Sequence, residues 1–158
     1  PVRPSPNLKS DQAIALYPSL CFFEGTPISI GRGTNHPFTV YGHPNIKGSL
    51  KFTPKPSLGA KNPKLNGKEC NGYDLTQFKT PMKNLELGWL INAYEQYPDK
   101  SKYFNSFFNL LAGNNTLQEQ IIAGLKIEEI RASWSSDLET FKSIRKKYLL
   151  YPDFNDIQ

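Results

Sequence analysis

The side chains best suited to chemistry are concentrated in one glycine-rich loop, from Glu24 to Pro37. Its glycines allow the positive φ angles that bring a backbone close to a ligand, and Arg32 presents a planar fork of donors that suits a carboxylate. Binding residues often lie on such loops, where a rigid scaffold holds them. The loop therefore predicts a ligand site, with Glu24 as a hydrogen-bond acceptor or an auxiliary catalytic acid/base. The predicted binding residues are Thr26, Arg32, Thr34, Asn35 and His36.

Purely structural roles would also account for the presence of these residues in the loop. Glu24 is able to pair with Arg32 and hold the loop in shape. The hydroxyls of Thr26, Ser29 and Thr34 are typical of turns. A glycosidase usually needs two carboxyl groups about 5–10 Å apart, and the loop supplies only Glu24. The residues alone therefore do not provide a complete hydrolytic site.

The sequence does not support several kinds of cofactor site. The two histidines, His36 and His43, have no Cys, Asp or second His at a recognisable metal-binding spacing. The segment Gly31 to Thr34 matches neither a Walker loop nor a dinucleotide fingerprint, and no G-x-S-x-G elbow occurs. We therefore expect neither a metal ion nor a cofactor.

The formal net charge of +5 is unevenly distributed along the chain. Residues 1–80 contain 10 Lys and Arg against 4 Asp and Glu, whereas residues 81–158 contain 9 against 10. A positive first half could attract nucleic acid, an anionic membrane or an acidic small substrate, and solvated lysines explain the pattern as well. We expect no nucleic-acid partner, and no segment has the roughly 20 apolar residues of a membrane span.

The first half of the chain is predicted to form a short helix and several strands. Ser10 and Asp11 indicate a capped helix start, and Pro18 is expected to close that helix. A brief apolar run at residues 20–23 indicates a buried strand, and alternation with β-branched or aromatic residues indicates strands at 38–41 and 49–53. The proline-rich segment 54–69 is predicted to be a long surface connection. The predicted strands are 20–23, 38–41, 49–53 and 70–75.

The second half is predicted to be helical, because apolar residues recur at three- and four-residue steps. The longest pattern runs from Ile127 to Tyr148 and indicates a final helix of about six turns. Trp134, Leu138 and Phe141 are expected to pack on the sheet. The predicted fold class is α+β, with a small mixed or antiparallel sheet from the N-terminal half packed against helices from the C-terminal half.

The loop and its surroundings also resemble a known family. The resemblance is carried by residues 16–26, by residues 30–38 with their Gly-Arg-Gly-Thr sequence, by residues 42–44, and by later segments as far as Tyr151. In order and spacing they are similar to the C-terminal domain of the NamZ exo-β-N-acetylmuramidases. The resemblance implies a Rossmann-like N-terminal domain that carries the main catalytic carboxylate, and a substrate held in a cleft between the two domains.

The resemblance also implies a function and a location. The implied enzyme is a secreted or periplasmic bacterial glycosidase that releases N-acetylmuramic acid from the non-reducing end of peptidoglycan fragments. This chain would form one wall of the cleft, with Arg32 receiving the lactyl carboxylate of the sugar, and would be inactive alone. The alternative is a non-catalytic module that binds peptidoglycan or another glycan. The expected organisation is a linker at 1–9, a single domain at 10–151 and a tail at 152–158.

Cys21 and Cys70 are the two cysteines of the chain. Each borders a predicted core strand, and the compartment that the resemblance implies is oxidising, so we expect a disulfide bridge between them. Two buried free thiols are the alternative.

Overall fold

The structure is a computed structural model that describes residues 4–79 and 84–153. It confirms an α+β fold with a small antiparallel sheet. The chain forms two compact units, Pro1–Glu119 and Gln120–Gln158. The first unit contains the sheet and the glycine-rich loop, and the predicted single domain at 10–151 stays a prediction.

Helix α1 spans Asp11–Leu20 and begins as predicted. The Ser10 hydroxyl accepts a hydrogen bond from the Ala13 amide at 3.2 Å, which caps the first turn. The expected end at Pro18 is wrong, because the helix continues to Leu20. Pro18 and Ile14 lie on the exposed side of α1, so water can satisfy the Ile14 carbonyl that lacks its amide partner.

The strand predicted at residues 20–23 is also wrong. This run contains the end of α1 and the start of a 3-10 helix, Cys21–Gly25. Phe22 and Phe23 are buried there, and the Phe23 ring stacks on Tyr41 with centroids 5.0 Å apart. A short apolar run fits a buried strand and a buried helical turn equally well, so its periodicity could not decide between them.

Three strands form the sheet: β1 is Val40–His43, β2 is Leu50–Phe52 and β3 is Cys70–Asp74. Their order is β1-β3-β2 and both pairings are antiparallel. Gly72 on the central strand faces Gly42, and a Cβ added to Gly72 would lie 2.0 Å from the Tyr41 carbonyl oxygen. The absence of a side chain at Gly72 therefore permits this strand pairing.

Two further helices and the segment between them contribute buried apolar and aromatic side chains to the core. Helix α2 spans Gly88–Gln96 and α3 spans Ser106–Ala112. The fully buried Tyr103 lies between them in sequence and donates its hydroxyl to the Leu90 carbonyl at 3.0 Å. Helix α3 approaches the glycine-rich loop closely, since a Cβ on Gly25 would lie 2.5 Å from the Phe108 Cα.

Helix α4 spans Thr116–Ile122, and the remaining helices are α5, Ile127–Ser133, and α6, Ser135–Arg145. The expected six-turn final helix is therefore divided at Trp134. The Ser133 hydroxyl donates to the Ile130 carbonyl at 2.7 Å and Ser135 to Ala132 at 2.8 Å. Such serine bonds compete with the backbone ladder and bend helices.

The expected burial of Leu138 and Phe141 is wrong as well. Leu138 is 48% exposed and Phe141 is 58% exposed. Ile130 on α5 is buried instead. The three- and four-residue spacing correctly indicated helix, but it did not identify which apolar side chains are buried.

The expected disulfide is absent from the structure, where Cys21 and Cys70 are both free thiols. The Cys21 thiol donates to the Pro18 carbonyl at 3.3 Å, and the Cys70 thiol to the Lys68 carbonyl at 3.6 Å. Burial raises the pKa of both thiols, and that of Cys70 to about 11. The expected bridge depended in part on a strand at residues 20–23, and that strand does not form.

The two thiols should differ in reactivity. Cys21 is partly exposed and Cys70 is buried, so a maleimide reagent at neutral pH should modify Cys21 in the folded protein and Cys70 only after unfolding. Mass spectrometry of labelled peptides measures both rates. Recovery of a peptide pair that is joined until reduction would contradict this prediction.

Candidate functional site

A cavity of about 240 Å³ lies between the glycine-rich loop, the segment 60–64 and helix α3. It is the candidate site because it contains the two charged residues of the loop together with a lysine and an exposed aromatic ring. We call it the Arg32 cavity. Its main lining residues are Glu24, Ile28, Ser29, Arg32, Lys64 and Phe107.

Backbone pairing fixes the loop against the sheet. The amide and carbonyl of Ser29 both pair with those of Gly42 on β1, each at 2.9 Å. Gly31 has φ +74°, and a Cβ there would lie 2.4 Å from the His36 carbonyl oxygen. The loop therefore requires glycine at this position. On its other side, the Lys55 amide donates to the Gly33 carbonyl at 2.9 Å, so the connection 54–69 forms a wall of the site.

Arg32 and Glu24 form an ion pair across the cavity. The Arg32 Nη1 lies 3.6 Å from Glu24 Oε1, and the two side chains are 42% and 29% exposed. Arg32 Nη2 also donates to the Gly59 carbonyl at 3.5 Å. Because a guanidinium has five N–H donors, these contacts orient Arg32 and leave donors for a ligand.

Lys64 is the principal residue that the sequence analysis missed. Its amine donates to the backbone carbonyls of Phe23, at 3.0 Å, and of Glu24, at 3.5 Å. It also donates to the Thr26 carbonyl. The residue as a whole is exposed, but its amine is enclosed by these three oxygens. We call this arrangement the Lys64 clamp, because it joins the connection 54–69 to the turn that carries Glu24.

Burial lowers the pKa of Lys64 to about 8, with the positive charge of Arg32 acting in the same direction and the negative charge of Glu24 opposing it. At neutral pH the amine is therefore mostly protonated, and its three N–H donors match the three carbonyls of the clamp. As pH rises through about 8, the cavity loses one positive charge.

Two predicted binding residues have structural roles in their turns. Thr26 is 2% exposed, and its hydroxyl donates to the Phe23 carbonyl at 2.9 Å and accepts from the Ile28 amide at 3.2 Å. The Thr34 hydroxyl donates to the Gly31 carbonyl at 2.7 Å and accepts from the His36 amide at 3.0 Å. Thus neither hydroxyl has its donor hydrogen available for a ligand in this conformation.

The predicted residues Asn35 and His36 do not line the Arg32 cavity. They line a second cavity together with Gln12 and Ala13 of α1 and with Thr39, the residue before β1. The structure therefore brings Glu24 and Arg32 together and places Asn35 and His36 at a different opening of the same loop.

Two aromatic residues that the sequence analysis did not select lie close to the charged pair. Phe107 lines the cavity and is 45% exposed, and its amide is fixed by the Asn105 side chain at 2.9 Å. Tyr17 on α1 is 40% exposed. Burial raises the pKa of Tyr17, with the nearby Cys21 and Glu24 acting in the same direction. Exposed rings beside polar groups are suited to the mixed apolar and polar faces of a sugar.

The Arg32 cavity thus combines two cations, Arg32 and Lys64, with one carboxylate, Glu24. This excess of positive charge suits a ligand with a single negative charge. The described parts of the chain contain no group of three or more His, Cys, Asp or Glu side chains placed to hold a metal ion. In the same ranges no helix is both long and apolar enough to cross a membrane.

The sequence of the chain matches a known protein family. Residues 15–151 match the family described as "Exo-beta-N-acetylmuramidase NamZ, C-terminal". The chain is 31% identical to the peptidoglycan β-N-acetylmuramidase NamZ of Bacillus subtilis strain 168, over 95% of this chain and 40% of that protein.

Two solved structures from Bacteroides fragilis NCTC 9343, both described as DUF1343 family proteins, have the same fold. One is 46% identical with a TM-score of 0.93 and matches 97% of this chain and 44% of its own. The other is 17% identical with a TM-score of 0.68, and its likeness concerns the fold alone. The chain spans less than half the length of each of these relatives.

The Lys64 amine should titrate near pH 8 in the folded protein, against the ordinary lysine value of 10.5. A lowered folded pKa means that the unfolded chain binds more protons between these values, so stability should rise as pH increases from about 8 to 10.5. NMR of lysine Cε groups measures the titration. Glu24→Gln should lower the Lys64 pKa further, because it removes a negative charge. An unchanged or raised Lys64 pKa in that variant would contradict the assignment.

Proposed function

The chain belongs to the family of C-terminal domains of NamZ exo-β-N-acetylmuramidases, and we propose that it forms one wall of the substrate cleft of such an enzyme. The substrate in this proposal is a peptidoglycan fragment with N-acetylmuramic acid at its non-reducing end. The enzyme would be an exo-acting glycosidase that releases this sugar, in an extracytoplasmic compartment of a bacterium.

The observation that carries the proposal is the Glu24–Arg32–Lys64 arrangement. N-acetylmuramic acid bears a lactyl carboxylate that distinguishes it from N-acetylglucosamine. Arg32 lies in a cavity, is oriented by Glu24 and the Gly59 carbonyl, and retains free donors. A partly desolvated guanidinium that is oriented in advance is well suited to bind a carboxylate.

The exposed rings fit the same ligand. Phe107 lines the Arg32 cavity, and Tyr17 lies within electrostatic range of both Glu24 and Arg32. A pyranose ring presents apolar C–H groups on its faces and hydroxyls on its rim, so it can contact an aromatic ring while its substituents reach polar groups. In the proposal these residues select the sugar ring, and Arg32 selects its carboxylate.

Catalysis requires a second carboxyl group. Among the residues that line the Arg32 cavity, Glu24 is the single acid, whereas glycosidases use two carboxyls on either side of the bond that breaks. We therefore assign the main catalytic carboxylate to the Rossmann-like domain expected in a longer chain. Glu24 would act as an auxiliary acid/base or would orient Arg32.

The same observation favours a second candidate function. A cavity with one carboxylate that is already paired with Arg32 can bind a sugar without cleaving it. The alternative is therefore a non-catalytic module that binds peptidoglycan or another glycan. The two functions share the ligand site and differ in whether a longer chain hydrolyses the ligand.

Arg32→Ala should weaken binding of N-acetylmuramic acid by roughly 10- to 100-fold, because a hydrogen bond to a charged group is lost. Isothermal titration of the 158-residue chain measures the affinity, and hydrolysis of a chromogenic muramic acid glycoside by the longer chain measures kcat/KM. The isolated chain should bind the sugar and leave the glycoside intact. Binding should also weaken as pH rises through about 8, where Lys64 loses its charge.

Lys61→Ala is the matched control, because it removes a nearby exposed charge that does not line the cavity. It should change the affinity little. The affinity for N-acetylglucosamine, which lacks the lactyl group, should not change in Arg32→Ala. Equal losses for both sugars would show that Arg32 only holds the loop in shape. Arg32-dependent binding without hydrolysis by the longer chain would favour the non-catalytic module.

A further inference from the structure

Residues 5–8 belong to the segment that was predicted to be a linker, but they form a β-turn. The Leu8 amide donates to the Ser5 carbonyl at 3.1 Å, and the Asn7 amide donates to the Ser5 hydroxyl at 3.2 Å. Pro6 occupies the second position of the turn, where proline is favoured because its φ angle already suits the turn. We call this segment the Asn7 turn.

A second turn, residues 57–60, lies against the Asn7 turn. The Ser57 amide donates to the Ala60 carbonyl at 2.9 Å, and the Ala60 amide donates to the Ser57 carbonyl at 3.0 Å. We call it the Gly59 turn, after its third residue. Ala60 also lines the Arg32 cavity, so the Gly59 turn forms part of the wall of the candidate site.

The Asn7 turn and the Arg32 side chain meet at one carbonyl group. The Asn7 side-chain amide donates to the Gly59 carbonyl at 2.7 Å, and Arg32 Nη2 donates to the same oxygen at 3.5 Å. A backbone carbonyl has two lone pairs and can accept both bonds. The bond from Asn7 is short and the bond from Arg32 is long. We therefore expect Asn7 to fix the direction of this carbonyl, and Arg32 to follow it.

The peptide group between Gly59 and Ala60 is held at both of its polar atoms. Its N–H donates to Ser57 within the turn, and its C=O accepts from Asn7. Because a peptide group is planar, fixing both polar atoms fixes its orientation. Without Asn7, the carbonyl loses its shorter hydrogen bond, and the plane can tilt about the bond that remains.

Close packing makes this contact specific to the two residues. A Cβ added to Gly59 would lie 2.7 Å from Asn7 Oδ1 and 3.1 Å from its Cγ. Glycine at position 59 therefore permits the Asn7 side chain to reach the carbonyl. Asn7 is half-buried and is not among the residues that line the Arg32 cavity, so it would not itself contact a ligand there.

We propose that Asn7 is a positioning residue of the sugar site and acts on Arg32 through the carbonyl of Gly59. The inference rests on the proposed function, in which Arg32 receives the lactyl carboxylate. Glu24 and Gly59 orient the guanidinium together, and Asn7 fixes the second of these partners. A guanidinium binds a carboxylate best through two parallel hydrogen bonds, so a change in its orientation weakens the contact. In a longer enzyme, the same contact would tie the predicted linker at 1–9 to the sugar site.

Two substitutions break the contact from opposite sides. Asn7→Ala removes the donor, and Gly59→Ala displaces the Asn7 side chain by placing a Cβ beside its Oδ1. The Gly59→Ala variant should fold, because the displaced atoms are the free end of a side chain and Gly59 does not have a positive φ angle. Each variant should lower the affinity for N-acetylmuramic acid roughly 2- to 5-fold. This loss is smaller than that expected for Arg32→Ala, because Glu24 still holds the guanidinium.

Two measurements on the 158-residue chain test the proposal. Isothermal titration gives the affinity for the sugar, and NMR of the Arg32 guanidinium gives the rate of rotation about its Nε–Cζ bond in the free protein. Rotation should accelerate roughly 2-fold or more in both variants, because the carbonyl no longer holds Nη2. Combining Asn7→Ala with Gly59→Ala should have no larger effect than either alone, and Asn7→Ala should cause no further loss of affinity in an Arg32→Ala background.

Asn66→Ala is the matched control, because Asn66 is exposed in the connection 54–69 and does not line the cavity. Unchanged rotation of the Arg32 guanidinium in both variants would overturn the inference. A loss of affinity that persists in the Arg32→Ala background, an equal loss for N-acetylglucosamine, or an equal effect of the control would also overturn it. Faster rotation in a chain that binds no sugar would contradict the proposed function and keep the link between Asn7 and Arg32.

Discussion

The amine of Lys64 donates to three backbone carbonyls that surround Glu24 in the sequence, those of Phe23, Glu24 and Thr26. The Phe23 and Glu24 oxygens belong to the 3-10 helix Cys21–Gly25, and the Thr26 oxygen follows it. The clamp therefore ties the connection 54–69 to the end of this helix and restrains the backbone that carries Glu24. Because Glu24 orients Arg32, the geometry of the Arg32 cavity depends on a lysine from a distant part of the chain.

The two sides of the glycine-rich loop have different chemistry as a result. Toward Lys64, the loop presents the paired charges of Glu24 and Arg32. Beside α1, Asn35, His36 and Thr39 line a second cavity. Gly31, at φ +74°, allows the loop to turn tightly between them.

The sequence predicted the parts of this arrangement that depend on local patterns. Ser10 identified the start of α1, and the structure confirms the strands predicted near 49–53 and 70–75. Glu24 and Arg32 were found from residue type and spacing. Lys64 was missed because no local pattern distinguishes a clamping lysine from a solvated one, and only the tertiary fold brings it to the turn. The predicted burial of Leu138 and Phe141 is wrong for a related reason. Apolar periodicity identifies a helix, but it does not identify what packs against that helix.

Hydrogen exchange in Lys64→Met tests the central claim most directly, because methionine keeps most of the apolar stem and removes the three donors. The reporting amides are those of Thr26 and Ile28, which close the turn, measured at pH 7 where Lys64 is mostly charged. The account predicts that their exchange accelerates roughly 10-fold or more, while Gly72 on β3 and the control Lys61→Met change little. Unchanged exchange at Thr26 and Ile28 would show that the turn holds its shape without the clamp and would contradict the account.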